Sequence, residues 1–387
     1  LPGDLVINRR TISIQANQQT KYYGDIDELE TDSTAFTIID LDSNADLPNN
    51  DDILSVDLSS LTDRDVSQVS DVDTYTNELR ISGVTGNDAF NPDNYILEYL
   101  DGDYQIQARP ITLTAADRSR LYGDTLELGE TDFILTDQGL TATEAAFELP
   151  NGETIDTVTL TSTDGRAGST IAAAGTYDDN IIIEVGSEIG SNGFRSSNYA
   201  ITLEEGEFVI EPRPVTLTAT GQARVYGDDM VLSDTAFTVT DVDLDGDLPN
   251  GELIDTVNLN SATGVDVTTT ASAGSYTDEI QITGQDGSAG FDALNYELTY
   301  VDGDLVVNRR AVTLTALQQE RIYGDPIVLD DTAFAVLDLD DDSELPNGEV
   351  IDTVSLESAA GVDLDTTAGA GFYSGNLQIT GQAGSGG

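Results

Sequence analysis

Short segments in which apolar and polar residues alternate recur along the chain. Residues 11–15 read Thr-Ile-Ser-Ile-Gln, and residues 111–115, 215–219 and 312–316 alternate in the same way. A period of two residues places successive side chains on opposite faces of a strand, so each segment is predicted as a β-strand with one buried face. The segments are rich in Thr, Val, Ile and Tyr and are bounded by Gly, Asp and Asn, and no segment has the period of a helix. The sequence therefore predicts an all-β protein.

The predicted strands belong to a unit that occurs four times. Tyr-Gly-Asp begins at residues 23, 122, 226 and 323, so successive copies are 99, 104 and 97 residues apart. In each copy a Phe-centred strand, Leu-Pro-Asn, another strand and a Gly- and Thr-rich stretch follow, and the first three copies end in an Asn-Tyr segment and a last strand. Six or seven strands in about 100 residues are typical of a small β-sandwich. We expect a tandem array of β-sandwich-like (Ig-like) domains, with a β-grasp fold as the alternative.

The boundaries of the repeats follow from this alignment. Residues 1–8 match only the terminal strand of a preceding repeat, and repeats 1 to 4 are predicted at 9–108, 109–211, 212–308 and 309–387. Repeat 4 is truncated and lacks the final hairpin, which indicates a fragment of a longer array. Alternatively, residues 1–8 of one molecule complete repeat 4 of another by β-strand addition. Because the joints contain no flexible linker and two of them contain Pro, we expect an extended rod.

The charge balance and the missing residue types exclude several function classes. The chain has 72 Asp and Glu against 15 Lys and Arg, a formal net charge of −57, and neither His nor Cys. It therefore has no basic face for nucleic acid or an anionic membrane, and its self-repulsion suits a saline or cation-rich setting. Zinc sites of the usual kind, thiol nucleophiles, Ser-His-Asp triads and disulfides are excluded. No apolar run approaches about 18 residues, so no membrane insertion is expected. No carboxylate pair is distinguished as an acid–base couple, so we do not predict an enzyme.

One acidic loop has the ligand spacing of a calcium site. Residues 241–252 fit Asp-x-Asp-x-Asp-Gly with Glu at the twelfth position, and Ca²⁺ takes six to eight oxygen ligands from such alternating residues. We expect strands rather than helices beside the loop, and the alternative interpretation is a solvated acidic loop. We call the alternating acidic residues of this loop the acidic ladder. The loop of repeat 2 is five residues longer than that of repeat 3 and lacks the acidic ladder, so little calcium binding is expected there. The predicted ligands are Asp241, Asp243, Asp245, Asp247 and Glu252 in repeat 3, Asp338, Asp340, Asp342, Glu344 and Glu349 in repeat 4, and Asp40, Asp42, Asn44, Asp46 and Asp51 in repeat 1.

Tyr-Gly-Asp is the other recurrent motif. We interpret it as a turn with Gly at positive φ and Tyr anchored in the core, and a recognition site is the alternative. Asp-Gly-Asp at 101–103 and 302–304 is predicted as a hairpin turn. Basic residues cluster near the joints and two positions before each Tyr-Gly-Asp, so we predict structural ion pairs near the domain interfaces. The basic residues at these two kinds of position are Arg9, Arg10, Arg109, Arg213, Arg309 and Arg310, and Lys21, Arg120, Arg224 and Arg321.

Together these motifs resemble the MBG-type ("mostly bacterial, glycine-rich") repeats of very large secreted bacterial adhesins, including filamentous-haemagglutinin-like proteins. The resemblance is carried by Arg-x-Tyr-Gly-Asp, the Asn-Tyr segment and the Gly-Asp-Leu-x-Val/Ile ending, and covers essentially the whole chain. It implies an extracellular or cell-surface stalk or fibre with a role in cell adhesion or a biofilm matrix, and the acidic loops suggest that calcium rigidifies it. A glycan- or protein-binding adhesion module and a filament subunit joined by strand complementation are the alternatives. The expected partners are neighbouring repeats, other fibre copies or surface glycans.

Overall fold

The computed structural model consists of strands and short turns. It describes all residues except 1–2, 30–32, 41–45, 138–147, 245, 339–343, 364 and 386–387. For residues 40 and 137 it describes the backbone but not the side chain. The described residues form 27 strands and eight 3-10 turns and contain no α-helix, which confirms the all-β prediction and gives the β-grasp alternative no support. No helix in the described part of the chain is long and apolar enough to cross a membrane. The turns are Pro48–Asn50, Pro92–Asn94, Pro150–Gly152, Thr163–Gly168, Ser196–Asn198, Pro249–Gly251, Ala293–Asn295 and Pro346–Gly348.

Repeat 1 consists of two sheets. Its strands are β1 (Arg10–Ala16), β2 (Gln19–Tyr22), β3 (Phe36–Asp40), β4 (Ile53–Ser60), β5 (Asp73–Gly86), β6 (Tyr95–Leu100) and β7 (Gly102–Gln107). In the three-stranded sheet, β1 lies between antiparallel β3 and parallel β6. The four-stranded sheet has the order β2-β7-β5-β4, in which β2 and β7 are parallel. The two sheets agree with the predicted β-sandwich-like domain, but the parallel pairs were not predicted.

The predicted hairpin at Asp-Gly-Asp is wrong, because the two strands that it joins belong to different sheets. The chain leaves β6 in the three-stranded sheet and enters β7 in the four-stranded sheet. The segment from β1 to β2 crosses between the sheets alongside it, so these strands pair in parallel in both sheets. A Cβ on Gly102 would lie 2.3 Å from the carbonyl oxygen of Ala16. The glycine is therefore needed for the close approach of two backbones, and not for a tight hairpin.

Alternate residues of these strands form the core, as the period of two predicts. Ile12 and Ile14 of β1 are fully buried, and so are Leu79 of β5 and Tyr104 of β7. Truncation of such side chains to Ala typically costs about 2–5 kcal/mol, so this inward face determines the register of the strands.

Repeat 2 keeps this plan but its long strands are interrupted. Its strands are β8 (Arg109–Ala115), β9 (Arg118–Leu121), β10 (Phe133–Asp137), β11 (Thr154–Thr157), β12 (Leu160–Ser162), β13 (Gly175–Ile183), β14 (Ile189–Ser191), β15 (Tyr199–Glu204) and β16 (Gly206–Glu211). The three-stranded sheet has the order β10-β8-β15. The remaining strands form a four-stranded sheet, β12-β13-β16-β9, and a separate pair, β11-β14.

Repeat 3 has the topology of repeat 1, and repeat 4 has part of it. The strands of repeat 3 are β17 (Arg213–Ala219), β18 (Gln222–Val225), β19 (Phe237–Asp241), β20 (Leu253–Ser261), β21 (Gly274–Ser288), β22 (Tyr296–Val301) and β23 (Gly303–Asn308), and those of repeat 4 are β24 (Thr313–Ala316), β25 (Phe334–Leu337), β26 (Val350–Ser358) and β27 (Leu377–Ser385). The sheets of repeat 3 have the orders β19-β17-β22 and β18-β23-β21-β20. Repeat 4 contains the antiparallel pairs β24-β25 and β26-β27.

The chain divides into two compact units. The first comprises 1–120, 124–169 and 175–210, and the second comprises 121–123, 170–174 and 211–387. Two short segments of repeat 2 therefore belong to the same unit as repeats 3 and 4. The predicted repeat boundaries and the extended rod stay predictions.

Candidate functional site at the repeat junctions

The last residue of the predicted calcium loop in repeat 3 is buried against two tyrosines. Glu252 is 4% exposed and accepts a hydrogen bond from Tyr296 Oη at 2.7 Å. Its other oxygen accepts a hydrogen bond from Tyr122 Oη, in the Tyr-Gly-Asp of repeat 2. The two rings meet edge to face, with centroids 5.5 Å apart. The buried carboxylate is thus satisfied by phenol donors from two successive repeats.

The same arrangement occurs within the first compact unit. Glu153 accepts hydrogen bonds from Tyr199 Oη at 2.7 Å and from Tyr23 Oη, and the two rings meet edge to face at 5.6 Å. In repeat 4, Glu349 accepts a hydrogen bond from Tyr226 Oη at 2.5 Å. At all three junctions, the Tyr of Tyr-Gly-Asp in one repeat therefore binds the Glu of Leu-Pro-Asn-Gly-Glu in the next.

The glycine of Tyr-Gly-Asp lies directly against the proline of the next repeat. A Cβ on Gly24 would come within 2.3 Å of Pro150, and the corresponding distances are 2.4 Å for Gly123 to Pro249 and for Gly227 to Pro346. The φ angles of the three glycines are 85°, 90° and 93°. The predicted positive φ is confirmed, and the contact gives a second reason why no other residue fits.

One arginine near the start of repeats 2 and 4 connects each of them to the preceding turn. Arg109 Nη1 donates to Asp25 Oδ1 at 2.7 Å and to the Tyr23 carbonyl at 3.3 Å. Arg310 Nη1 likewise donates to Asp228 Oδ1 at 2.7 Å, while its Nε donates to Asp338 Oδ2 at 2.8 Å. The predicted ion pairs near the joints are confirmed for these two arginines.

In repeat 3 the equivalent arginine forms a buried ion pair. Arg213 Nη1 donates to the Tyr122 carbonyl at 3.5 Å, and its Nε and Nη2 both lie 3.2 Å from Asp241 Oδ2. Nη2 also donates to Asp243. Arg213 is 5% exposed and Asp241 4%. Removal of one partner from such a pair leaves an uncompensated buried charge.

Asparagine side chains bind the main chain of the preceding repeat. Asn250 Nδ2 donates to the Thr170 carbonyl at 3.2 Å, and Asn295 Oδ1 accepts from the Ala174 N–H at 2.9 Å. The equivalent bonds occur in the first compact unit. Asn151 Nδ2 donates to the Gln68 carbonyl at 3.0 Å, and Asn198 Oδ1 accepts from the Val72 N–H at 3.1 Å. Asn347 Nδ2 donates to Thr269 O at 3.1 Å. Each junction thus also holds the loop that precedes the long strand of the preceding repeat.

The basic residue before Tyr-Gly-Asp holds the same loop from inside its own repeat. Lys21 is 7% exposed, and its Nζ donates to the carbonyls of Arg64, Asp65 and Ser67 at 2.5, 2.9 and 2.7 Å. Arg224 donates similarly to Val265 O and Thr268 O. The prediction that these residues form ion pairs is corrected, because their main partners are loop carbonyls that no strand ladder satisfies.

The tyrosines at the junctions stay protonated up to strongly alkaline pH. Burial, followed by the hydrogen bond to Glu153, raises the pKa of Tyr23 to about 12, and burial and Glu252 do the same for Tyr122. The same causes raise the pKa of Tyr199 and Tyr296 further. A raised folded-state pKa contributes stability that is complete below the ordinary value of 10.0 and is lost as pH rises through about 12.

The predicted calcium ligands have several different surroundings. Asp241 and Asp338 pair with arginines, whereas Glu252, Glu349 and Asp51 face tyrosines, the last of these accepting from Tyr95 Oη at 2.6 Å. Among the described residues, no three acidic side chains converge on a position that could hold a metal. Calcium binding therefore stays a prediction. Three other predicted ligands are exposed: Asp46, Asp247 and Glu344. Asp243 contacts Arg213. The remaining predicted ligands lie outside the described residues: Asp42, Asn44, Asp245, Asp340, Asp342 and the side chain of Asp40.

The sequence contained a signal for the tyrosine–glutamate contact that the calcium interpretation passed over. Repeat 2 lacks the acidic ladder but keeps Leu149-Pro-Asn-Gly-Glu153. A glutamate that recurs without the ladder has a role independent of the ladder. Likewise the Tyr of Tyr-Gly-Asp contacts the glutamate and a tyrosine ring of the next repeat, which the prediction of an anchor in the core did not include.

Comparison with known proteins gives one family. No curated protein matches the chain. Residues 215–306, which contain Tyr226-Gly227-Asp228 and most of repeat 3, match the MBG domain (YGX type). The predicted resemblance is confirmed for this repeat, which is similar to an MBG domain of the YGX type.

Proposed function

We propose that the chain is a segment of a structural stalk in a secreted bacterial adhesin. In this proposal, contacts between the Tyr-Gly-Asp turn of one repeat and the next repeat hold the two repeats together. The observation that carries the proposal is the recurrence of one set of contacts at three successive junctions: Tyr to Glu, Gly to Pro, and Asn to the preceding loop. An array that transmits load needs each module fixed to its neighbours, and this set of contacts supplies that constraint without a catalytic group.

The chemistry of the contact supports a structural role. Hydrogen bonds to a charged acceptor contribute about 1.5–3 kcal/mol each, and a buried carboxylate that loses its donors costs more. The contact between the tyrosine and the glutamate therefore favours the state in which the two repeats are together. The match of repeat 3 to the MBG domain supports a repeat module of a bacterial surface protein, and adhesion and an extracellular location are part of the proposal.

Calcium is the second element of the proposal, in repeats 3 and 4. The first aspartate of each acidic ladder, Asp241 or Asp338, pairs with the arginine that reaches the preceding turn. A cation bound by the other carboxylates of the ladder would reduce their mutual repulsion beside this ion pair, and would stiffen the junction in this way.

The test is a double-mutant cycle on the full chain with Tyr122→Phe and Glu252→Gln. We expect each change to increase amide hydrogen exchange at residues 170–174, because these residues are held by the junction, and the double variant to add little to either single change. Tyr276→Phe is the matched control, since among the described residues Tyr276 Oη bonds to Ser272 O, within repeat 3, at 2.7 Å. If Tyr122→Phe changed exchange no more than Tyr276→Phe, the junction would not couple the repeats and the proposal would fail.

A further inference from the structure

The first and last strands of repeat 3 run side by side in the same direction in both of its sheets. Six consecutive residue pairs, beginning with Arg213 and Tyr296, join β17 to β22 in the three-stranded sheet. Four further pairs, ending with Val225 and Asn308, join β18 to β23 in the four-stranded sheet. We call these two pairings together the parallel interface of the repeat. The chain therefore enters the repeat at one end of the parallel interface and leaves it at the other end.

We propose that the parallel interface resists tension, so that a repeat stays folded when the chain is pulled at both of its ends. The inference rests on the proposed function, because a stalk that transmits load pulls its repeats in this direction. Repeat 3 receives such a load through the chain on both sides, since β16 ends at Glu211 just before it and β24 begins at Thr313 just after it.

The direction of the strands determines how the load acts on the hydrogen bonds. Tension pulls β17 backwards from its first residue and pulls β23 forwards from its last residue. Because the paired strands are parallel, they can separate only by sliding past each other along their common axis. The hydrogen bonds of a parallel pair are evenly spaced and cross from one strand to the other. They are therefore loaded together, and not one after another.

Neither of the two strands that receive the load lies at the edge of a sheet. β17 is the middle strand of β19-β17-β22, and β23 lies between β18 and β21. Each of these strands is thus paired on both sides, so it cannot leave its sheet until both pairings are broken.

The inward faces of the same two strands keep water away from the parallel interface. Val215 and Leu217 of β17 and Leu305 and Val307 of β23 are all at most 2% exposed. Water replaces a hydrogen bond between strands only where it reaches the bond, so burial slows the exchange of one partner for the other. Sliding would also expose these apolar side chains to water, which adds to the cost of separation.

The parallel interface is continuous across the two sheets and occurs in more than one repeat. Where the two segments cross between the sheets, a Cβ on Gly303 would lie 2.6 Å from the carbonyl oxygen of Ala219. Repeat 1 has the same close approach at Gly102, with six parallel pairs between β1 and β6 and four between β2 and β7. Resistance to tension is therefore expected of the repeat as such, and not of one copy.

The test pulls the full chain in two directions across repeat 3. The chain contains no Cys, so a pair of introduced cysteines fixes the two points at which DNA handles are attached in optical tweezers. Pro212→Cys with Arg309→Cys pulls on the two ends of the repeat and makes the paired strands slide. Pro212→Cys with Leu294→Cys pulls on the same end of β17 and β22 and opens the parallel interface one pair at a time. All three positions are exposed.

We expect repeat 3 to unfold in one abrupt step, at a force about threefold higher with the first pair of cysteines than with the second. Forced unfolding is governed by the rate of unfolding, so the melting temperature, measured without load, should be the same for both double variants and the wild type. Ala293→Cys supplies the second direction if Leu294→Cys lowers the melting temperature, since Ala293 is also exposed.

Two results would overturn the inference. One is an unfolding force that is no higher in the first direction than in the second, and the other is gradual extension in the first direction without an abrupt step. The exchange measurements with Tyr122→Phe and Glu252→Gln report on the junctions between repeats, whereas the parallel interface lies within a repeat. The proposed function and this inference can therefore fail separately.

Discussion

Repeats 2 and 3 place the same glutamate after two different loops. The loop before Glu153 is five residues longer than the one before Glu252 and lacks its ladder of aspartates. Both glutamates are nevertheless 4% exposed, and each accepts hydrogen bonds from two tyrosines of successive repeats. Because these contacts are the same with and without the ladder, the contact of the glutamate with the two tyrosines does not require the ladder. Ligand spacing alone could not separate the two roles.

Arg213 of repeat 3 pairs with two aspartates that differ in their surroundings. The side chains of Arg213 and Asp241 are 6% and 1% exposed, whereas the side chain of Asp243 is 65% exposed. Exposed ion pairs contribute about 0–1 kcal/mol, and removal of one partner of a buried pair costs about 3–5 kcal/mol. The stability of the junction should therefore depend on the pair with Asp241 more than on the pair with Asp243.

The largest expected effect therefore comes from Arg213→Gln. We expect it to lower the free energy of unfolding of the second compact unit by about 3–5 kcal/mol, because Asp241 stays buried without its counter-charge. Asp243→Asn, which removes only the exposed partner of the same arginine, should lower it by about 1 kcal/mol or less in the presence of a chelator. Hydrogen exchange in a urea series measures the stability of the unit in each variant. Equal losses from the two changes would contradict the distinction that we draw from burial.

The next effect concerns the glutamates and should be the same in both repeats. Glu153→Gln and Glu252→Gln should each destabilise their junction by about 1.5–3 kcal/mol in the presence of a chelator, because one phenol then faces an amide N–H₂ in place of a carboxylate oxygen. The measurement is exchange at residues 67–72 for Glu153→Gln and at 170–174 for Glu252→Gln. Glu204→Gln is an exposed control, since Glu204 binds only Thr114 Oγ1 at 2.9 Å. An effect of Glu252→Gln that appeared only with calcium would restore the ligand interpretation.

The features that the sequence predicts correctly are local ones. Alternation over five residues is enough to place Ile12 and Ile14 inward, and a positive φ at Gly24 follows from the Tyr-Gly-Asp turn itself. The features that it missed depend on distant partners. Tyr23 and Glu153 are 130 residues apart in the chain, and the crossing at Gly102 depends on which sheet accepts β7. Neither the contact between repeats nor the crossing between sheets produces a periodic pattern in the sequence of one repeat.

A smaller effect would test whether the aspartate ladder of repeat 3 binds calcium. At a tenfold excess of Ca²⁺ over its dissociation constant, binding to the folded form alone would stabilise the second unit by about 1.4 kcal/mol. Sodium at equal ionic strength should not. Asp245→Asn alters a predicted ligand without altering the tyrosine–glutamate contact, and should reduce the gain. The measurement is calorimetry with and without chelator, and an unchanged melting temperature would show that the ladder is a solvated acidic loop.

The smallest effect comes from a difference between the same repeats in their long strands. Glu279 of repeat 3 accepts hydrogen bonds from Ser261 Oγ, from Thr263 N at 2.8 Å and from Thr263 Oγ1 at 3.0 Å. Burial would raise the pKa of Glu279, but these hydrogen bonds outweigh it and lower the pKa. Asn180 stands at this position in repeat 2, 4% exposed, and its Oδ1 has no hydrogen-bond partner among the described atoms.

Because a carboxylate accepts these hydrogen bonds more strongly than an amide does, Glu279→Gln should destabilise the second unit by about 1 kcal/mol at neutral pH. The loss should depend on pH in a defined direction. A lowered folded-state pKa contributes stability that is present above the ordinary carboxyl pKa of 4.5 and is lost as pH falls through the folded value. Urea unfolding at pH 7 and at pH 3 measures both effects, with Asp278→Asn as the control, because Asp278 is the neighbouring acidic residue and is exposed. A loss that persisted at pH 3, or one that Asp278→Asn reproduced, would show that the hydrogen-bonded carboxylate of Glu279 is not its source.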